Sequence, residues 1–249
     1  TDYIQYGKPN TLVVRADATQ YEGWFYEGAG IYRHVWLNQF HPVHVAHDGV
    51  FAYSTVKGNA ATVTVETEVE NQFLAPATAT VVSFLTDRGG RKLASSPEQP
   101  VRLGINGKTT VKHNLKVLNP KLWSLDDPYL YRVVSVVKQN GKVVDSVVQR
   151  FGIRTIDVKP NGVFLNGKHV KILGTNNHQD HAGVGAALPD YLQYYRIRLL
   201  KQWGSNAYRS SHNAPTPELL DACDSLGILV MDEHRLLNSS PEYLDQFER

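Results

Sequence analysis

Three polar clusters stand out in the last third of the chain, each directly after an apolar or β-branched run. Each cluster combines a histidine with carboxylate, amide or guanidinium groups, which are the side chains most often used for proton transfer and polar ligand binding. The clusters comprise Asn176, Asn177, His178 and Asp180; Arg209, Ser210, Ser211, His212 and Asn213; and Asp232, Glu233 and His234. Three such endings in succession predict a functional pocket rather than three solvated loops.

Each cluster alone also has a structural explanation. His178 or His212, taken singly, fits a structural imidazole equally well. Asp232 either caps the loop that follows it or pairs with Arg209 beneath a barrel floor. Such an ion pair would support the site rather than act in catalysis.

Other chemistries fit the sequence less well. A zinc site built from His178, His181 and His212 is disfavoured, because a loop H-x-x-H without cysteine is a weak signal. A serine hydrolase is disfavoured because the chain has no G-x-S-x-G motif. The glycine pair in "TDRGGRKL" indicates a hairpin turn rather than a phosphate loop. The single cysteine, Cys223, lies in an apolar stretch and is interpreted as a core residue.

Composition excludes several classes of protein. The 249 residues favour two or three structural units, and 26 basic against 24 acidic residues argue against nucleic-acid binding. No apolar run approaches the roughly 18–20 residues that cross a bilayer, so no membrane partner is predicted. The opening "TDYIQYGKPN" suggests the interior of a longer polypeptide. We expect a soluble protein, and the sequence does not decide between a periplasmic and a cytoplasmic location.

The elements that precede the clusters are strands. "TLVVRAD" and "IYRHVWLN" have strand composition, and "TVTVETEVEN" alternates as a half-buried antiparallel strand does. "QNGK" between two strand patterns predicts a hairpin. About seven strands between Val43 and Ile153 predict a sandwich of immunoglobulin-like size. Packing is favoured for the aromatic residues of 31–37, while Trp24 to Tyr26 suit stacking on a sugar equally well.

The period then changes from strand to helix. "PDYLQYYRIRLLKQWG" and "TPELLDACDSLG" predict helices, the second capped by Thr216 and closed by Gly227. "ILVMDE" has the character of a buried parallel strand, and "SSPEYLDQFER" predicts a third helix capped by Ser239 or Ser240. Alternating strands and helices indicate the start of an α/β barrel, whose working residues lie at the carboxyl ends of its strands.

The sequence thus predicts a multidomain β plus α/β chain. Residues 1–41 are interpreted as the C-terminal remnant of a jelly-roll sandwich, residues 42–153 as an immunoglobulin-like β-sandwich, and residues 154–249 as the first part of a (β/α)8 barrel.

Several motifs resemble glycoside hydrolase family 2, in the family's order and over nearly the whole chain. "GWFYEGAGIYRHVWL" is similar to the end of its jelly-roll domain, and "LWSLDDPYLYRVVSVV" with "RFGIRTIDV" to the end of its immunoglobulin-like domain. "GVFLNGKHVKILGTNNHQDH", "NAYRSSHNAP" and "CDSLGILVMDE" resemble the first three strand regions of its TIM barrel.

The resemblance implies roles for the polar clusters. The resemblance implies that sugar is bound by Asn177, His178, Asp180, His212 and Glu233. Arg209 and Asp232 are implied as structural support of that site. Asp180 matches an acid of the glucuronidase-like branch, and His212 matches a histidine that contacts the sugar at the transition state.

Two departures from the family matter. Some β-galactosidases bind Mg²⁺ shortly after the "DE" pair, where this chain has Leu237 and Ser239, so no metal and no cofactor are expected. The family's catalytic acid/base and nucleophile are glutamates of later barrel strands. We therefore expect both to lie beyond Arg249, and the chain alone to be inactive.

The resemblance implies hydrolysis of β-galactosides by the parent enzyme, with a carbohydrate as the partner. β-Glucuronidase or β-mannosidase activity is the alternative within the family. A non-catalytic carbohydrate-binding or scaffold module is the alternative outside it. Because a barrel with three of its eight strands leaves an exposed strand edge, we also expect self-association or disorder of the barrel portion.

Overall fold

A computed structural model describes residues 3–17, 19, 30–233 and 239–248, without the side chains of residues 245–248. The chain divides into two compact units. The first comprises Thr1–Leu37 and Asp180–Leu188, and the second comprises Asn38–Gln179 and Pro189–Arg249.

The second unit begins with a β-sandwich of antiparallel strands. Its strands are β1 (Val43–Lys57), β2 (Ala60–Asn71), β3 (Ala77–Thr86), β4 (Lys92–Ser95), β5 (Gln99–Leu103), β6 (Lys108–Leu118), β7 (Tyr131–Gln139) and β8 (Lys142–Phe151). One sheet has the order β1-β2-β6, and the other has the order β4-β3-β7-β8 with β5 also paired to β3.

The sequence patterns explain these strands. Along β2, Val63, Val65 and Val69 are fully buried, as the alternation predicted. Between β7 and β8, Asn140 and Gly141 have φ of 52° and 75°. Positive φ at both residues is the requirement of a type I′ hairpin turn, so the hairpin predicted from "QNGK" is confirmed.

The barrel portion follows the sandwich. A small antiparallel sheet is formed by β9 (Ile156–Lys159), β10 (Gly162–Leu165) and β11 (Lys168–Val170). The remaining elements are β12 (Gly174–Asn177), α1 (Asp190–Gln202), β13 (Ala207–Ser210), α2 (Pro217–Leu226), β14 (Leu229–Met231) and α3 (Pro241–Glu248). Strands β12, β13 and β14 pair in parallel and in that order. None of the helices within the described ranges is long and apolar enough to cross a membrane.

The predicted helix ends are largely confirmed. The side chain of Thr216 accepts a hydrogen bond from the Leu219 backbone nitrogen, and Gly227 closes α2 in the left-handed conformation. At α3 the Ser240 hydroxyl accepts from the Tyr243 nitrogen at 3.3 Å, so Ser240 caps this helix.

The first barrel strand lies further along the chain than "VKILG" predicted. Asn206 is the physical reason, because its side-chain oxygen accepts from the Leu173 nitrogen at 2.8 Å and its amide donates to the Lys171 carbonyl at 2.9 Å. The Leu173 nitrogen and the Lys171 carbonyl therefore bond to a side chain, while the Leu173 carbonyl accepts from the backbone nitrogens of Asn206 and Ala207 at 2.7 and 3.2 Å. Strand pairing begins at Gly174, where an added Cβ would lie 2.3 Å from the Ala207 carbonyl oxygen.

The strands predicted for "TLVVRAD" and "IYRHVWLN" are absent: residues 11–17 and 31–38 have no strand assignment. The packing predicted for residues 31–37 is also wrong, since Trp36 is 74% and Leu37 93% exposed. A strand needs a partner for its ladder, and neither segment has one among the described residues. Residues 24–26 lie outside the described residues, and the jelly-roll assignment of residues 1–41 stays a prediction.

The sandwich and the barrel portion are joined tightly within the second unit. Trp123, fully buried, donates from its indole nitrogen to the Asp224 carbonyl at 2.8 Å, and the Arg154 guanidinium lies 4.5 Å from the indole centroid. Lys201 of α1 donates to the carbonyls of Leu125 and Gly227 at 2.7 and 3.0 Å. These contacts fix the start of the barrel on the segment of the sandwich between β6 and β7.

Candidate functional site

The parallel sheet brings the polar clusters of the second unit to one edge. Asn177 is paired in register with Ser210, and Arg209 with Met231. Because β12, β13 and β14 run in the same direction, their carboxyl ends meet at this edge. The residues that the structure places there are Asn177, His178, Arg209, His212, Asp232 and Glu233.

Glu233 is the centre of this arrangement. One carboxylate oxygen forms an ion pair with Arg209 Nη2 at 2.6 Å, and the other forms a short contact with His212 Nδ1. The Glu233 side chain is only 18% exposed. Burial alone would raise the pKa of Glu233, but the hydrogen bonds from His212 and Arg209 outweigh it and hold that pKa below its usual value. Glu233 is therefore an anion at neutral pH, shared between two donors.

His178 joins the same group through its ring. The imidazoles of His178 and His212 lie edge to face, with centroids 5.3 Å apart and an interplanar angle of 82°. The peptide bond between Ser211 and His212 is cis. We call His178, Arg209, His212 and Glu233 the strand-end cluster.

Of the two roles considered for Asp232, a bond to the loop that follows it is found, and the ion pair with Arg209 is not. It follows β14, and its Oδ1 accepts from the Ser210 hydroxyl at 3.2 Å and from the Glu233 nitrogen at 2.8 Å. The ion pair with Arg209 is made by Glu233 instead. Asp232 and Glu233 both lie past the strand rather than on it, and their side chains bond to different groups.

Asn177 is engaged on both its main chain and its side chain. Its backbone carbonyl accepts from the buried Tyr208 hydroxyl at 3.2 Å, and its Oδ1 accepts from the Thr175 hydroxyl at 2.5 Å. Asp180 belongs to the first unit, at the start of a segment in which the His181 nitrogen donates to the Gly185 carbonyl at 2.9 Å. His234 lies outside the described residues.

A small cavity of about 20 Å³ lies behind the strand-end cluster. Its polar lining includes Asn177, Gln193, Ser210 and Ser211. Gln193 of α1 is 2% exposed, and its Oε1 has no hydrogen-bond partner among the described residues. The cavity has room for about one water molecule, which would satisfy that oxygen.

Sequence reasoning missed the residues beneath the cluster. Arg196 of α1 donates to the carbonyls of His178 and Gln179, and Tyr208 of β13 donates to that of Asn177. In the sequence Arg196 is one of several cations on a helical pattern, and no local signal separates it from a solvated one. Tyr208 within "NAYR" has the appearance of an ordinary strand residue.

The prediction that no metal is bound stays a prediction. Of the two positions aligned with the family's magnesium ligands, Leu237 lies outside the described residues and Ser239 precedes α3.

For Cys223 the core interpretation is confirmed, because the residue is buried among apolar side chains. Burial raises the pKa of its thiol to about 12, so the thiolate form is strongly disfavoured at neutral pH.

Comparison with known proteins agrees with this architecture. The family model described as Glycosyl hydrolases family 2 matches residues 43–154, and the model described as Glycosyl hydrolases family 2, TIM barrel domain, matches residues 156–242. The sandwich and the parallel strands of the second unit fall within these two matches. The chain belongs to glycosyl hydrolases family 2.

Named relatives include enzymes for two different sugars. The beta-galactosidase BoGH2A of Bacteroides ovatus is 39% identical over 240 residues, which are 94% of this chain and 28% of that protein. A beta-glucuronidase of Bacteroides fragilis is 32% identical over 247 residues, covering 94% of this chain and 35% of that protein. The chain thus spans about a third or less of the length of these relatives.

Solved structures give the same result. A crystal structure of a glycosyl hydrolase family 2 member from Bacteroides cellulosilyticus DSM 14838 superposes with a TM-score of 0.79 and 40% sequence identity. The match covers 84% of this chain and 29% of that one. An immunoglobulin-like sandwich followed by the start of a TIM barrel, as predicted from the sequence, is therefore confirmed.

Proposed function

We propose that the full-length protein containing this chain is a β-galactosidase, and that the strand-end cluster of the second unit forms one wall of its sugar pocket. The observation that carries this proposal is the strand-end cluster. It places two imidazoles, a carboxylate and a guanidinium at the carboxyl edge of the parallel barrel strands, where barrel enzymes bind their substrates.

Roles within the wall follow from the contacts. His178 and His212 are proposed to donate to, or accept from, sugar hydroxyls, with Asn177 as a further binding residue. The sugar contact predicted for Asp180, which belongs to the first unit, stays a prediction. The direct sugar contact predicted for Glu233 stays a prediction, and each of its two oxygens already contacts a partner, Arg209 or His212. We propose that Glu233 also orients His212, and that Asp232 supports the site through its bonds to Ser210 and to the Glu233 nitrogen.

The catalytic carboxylates are proposed to come from elsewhere in the barrel. Retaining hydrolysis needs a carboxylic acid to protonate the leaving oxygen and a carboxylate to attack the anomeric carbon, about 5–5.5 Å apart. Within the described part of the second unit, the carboxylates at this edge are Asp232 and Glu233. Glu233 is held as an anion, which excludes proton donation near neutral pH, and its two oxygens are directed at Arg209 and His212. This segment therefore contributes binding and orientation.

A neutral sugar is favoured over a uronic acid by the same ion pair. A uronate carboxylate is bound most strongly by a cation, and Arg209 of the strand-end cluster is already paired with Glu233. β-Glucuronidase activity is the second candidate, since relatives 30% and 32% identical bear that name.

Hydrolysis of 4-nitrophenyl β-glycosides by the full-length protein tests the proposal. Galactoside, glucuronide, mannoside and glucoside are compared by kcat/KM. We expect the galactoside to give the highest value by about 10-fold or more, an advantage of roughly 1.4 kcal/mol or more in transition-state binding. A higher kcat/KM on the glucuronide than on the galactoside would show that the enzyme is a β-glucuronidase instead. Sugar-dependent stabilisation without turnover of any substrate would contradict hydrolysis and favour a binding module.

A further inference from the structure

Arg196 makes an unusual pair of contacts from helix α1. Its Nη2 donates to the His178 carbonyl at 2.6 Å, and its Nη1 donates to the Gln179 carbonyl at 3.3 Å. A guanidinium presents its donors in a rigid planar fork, so it holds two acceptors in fixed directions at little further entropic cost. Arg196 thereby fixes the backbone at the end of the first barrel strand.

Tyr208 extends the same support by one residue. Its hydroxyl donates to the Asn177 carbonyl at 3.2 Å, and its ring is buried in the cluster that contains Ile197 and Cys223. Burial raises the pKa of Tyr208, which keeps the hydroxyl protonated as a donor. Three successive carbonyls, of residues 177–179, are thus held by side chains from two different elements.

The held backbone carries the His178 ring, which lies edge to face against His212. We propose that Arg196 is a positioning residue of the sugar pocket, which fixes the His178 backbone so that the two imidazoles present one rigid surface to the substrate. This inference rests on the proposed function, because it assigns Arg196 an effect on hydrolysis through His178 and without substrate contact.

Lys201 provides a matched control on the same helix. It also donates to two backbone carbonyls, those of Leu125 and Gly227, but it lies in the last turn of α1 rather than beside the strand-end cluster. Removing either side chain costs the protein two charge-assisted hydrogen bonds. Only the loss of Arg196 is expected to disturb His178.

The experiment compares wild type, Arg196→Met, Arg196→Lys and Lys201→Met in the full-length protein, by kcat/KM on its preferred aryl β-glycoside and by unfolding temperature. We expect Arg196→Met to lower kcat/KM about 10- to 100-fold, because small displacements of a positioned group have effects of that size. Arg196→Lys should recover part of this loss, since an ammonium keeps the charge without the fork. Lys201→Met should lower the unfolding temperature and leave kcat/KM of the folded enzyme within about twofold.

The outcomes distinguish failure of the positioning role of Arg196 from failure of the proposed function. If wild type is active and Arg196→Met keeps kcat/KM within about twofold, the positioning role is overturned while the proposed function stands. Equal losses of kcat/KM in Arg196→Met and Lys201→Met would show a general effect on folding and would also overturn it. A wild-type protein that hydrolyses no β-glycoside overturns the proposed function and this inference together.

Discussion

At the scale of single residues, the site depends on how one carboxylate is shared. Glu233 neutralises Arg209 and contacts His212 Nδ1, so it determines which imidazole nitrogen remains directed away from the carboxylate. This role could not be predicted from the sequence. The "DE" pair showed that acids follow the third strand, but the choice of Glu233 over Asp232 as partner of Arg209 depends on the path of the backbone after Met231.

Replacing Glu233 by glutamine tests this sharing in the full-length enzyme. The change removes the negative charge that Arg209 and His212 contact, and we expect kcat/KM to fall about 10- to 100-fold. Because the pKa of Glu233 is depressed, its carboxylate is fully charged above the normal carboxylate pKa. The charge, and with it the effect on kcat/KM, is lost only as the pH falls through the lower folded-state pKa.

The ratio of kcat/KM of wild type to that of Glu233→Gln should therefore stay constant between pH 7 and pH 5. At lower pH this ratio should decrease towards one. A ratio that falls to one between pH 7 and pH 6 would show that Glu233 titrates near neutrality. That result would contradict the depressed pKa expected from its contacts with Arg209 and His212. Asp232→Asn is the neighbouring control, for which a smaller loss is expected because Asp232 contacts neither Arg209 nor His212.

At the scale of elements, patterns with a local cause were predictable and patterns that depend on a partner were not. The alternation of β2, the Asn140–Gly141 turn and the Thr216 cap are each set by their own residues, and each is confirmed. Residues 31–38 have equally good strand composition, yet form no strand in the structure. The start of β12 was misplaced because it depends on Asn206, more than thirty residues away in the chain.

The sandwich core also contains a polar chain that composition did not suggest. Ser135 contacts the hydroxyls of Thr67 at 2.8 Å and of Ser83 at 3.3 Å, and Ser83 contacts His113 Nδ1 at 3.0 Å. All four side chains are buried, and His113 Nε2 has no partner among the described residues. Burial lowers the pKa of His113, so the imidazole is neutral in the folded protein.

His113 should therefore make the sandwich sensitive to acid. A buried base with a lowered pKa leaves stability intact above the unfolded value of about 6.5, and stability falls as the pH drops from there towards the folded value. His113→Asn keeps a polar atom near the Nδ1 position without a titrating group. We expect its unfolding temperature to decrease less than that of wild type between pH 7.5 and pH 5.

Calorimetry of the full-length protein measures this difference, with His47→Asn as the control because the His47 side chain is 82% exposed. The control should follow the wild-type pH dependence. Identical slopes for wild type and His113→Asn would mean that His113 accepts a proton in the folded state without cost, contrary to its burial.

At the scale of the whole molecule, the barrel portion is supported by the sandwich. The bond from Trp123 to the Asp224 carbonyl and the Arg154 guanidinium over the indole tie the last turn of α2 to the segment before β7. Within the described residues, β12 and β14 are each paired on one side only. The self-association expected of residues 1–249 through such edges stays a prediction.

Trp123→Phe tests this junction in the full-length protein. The change removes the indole donor, leaves the Asp224 carbonyl unsatisfied and opens a small cavity, for which we expect a loss of about 2–4 kcal/mol in unfolding free energy. Trp203→Phe is the control, since Trp203 is 82% exposed. Differential scanning calorimetry should show a lower transition for Trp123→Phe alone, and equal curves for the two variants would contradict the account.

The measurement that tests the central claim most directly is kcat/KM of His212→Ala in the full-length protein, beside wild type and the exposed control His47→Ala. If the strand-end cluster is a wall of the sugar pocket, His212→Ala should lower kcat/KM on the preferred aryl β-glycoside about 100-fold. The His47→Ala variant should match wild type, and all three proteins should unfold at similar temperatures. A His212→Ala enzyme that keeps kcat/KM within about threefold of wild type would contradict the assignment of this edge as the substrate-binding wall.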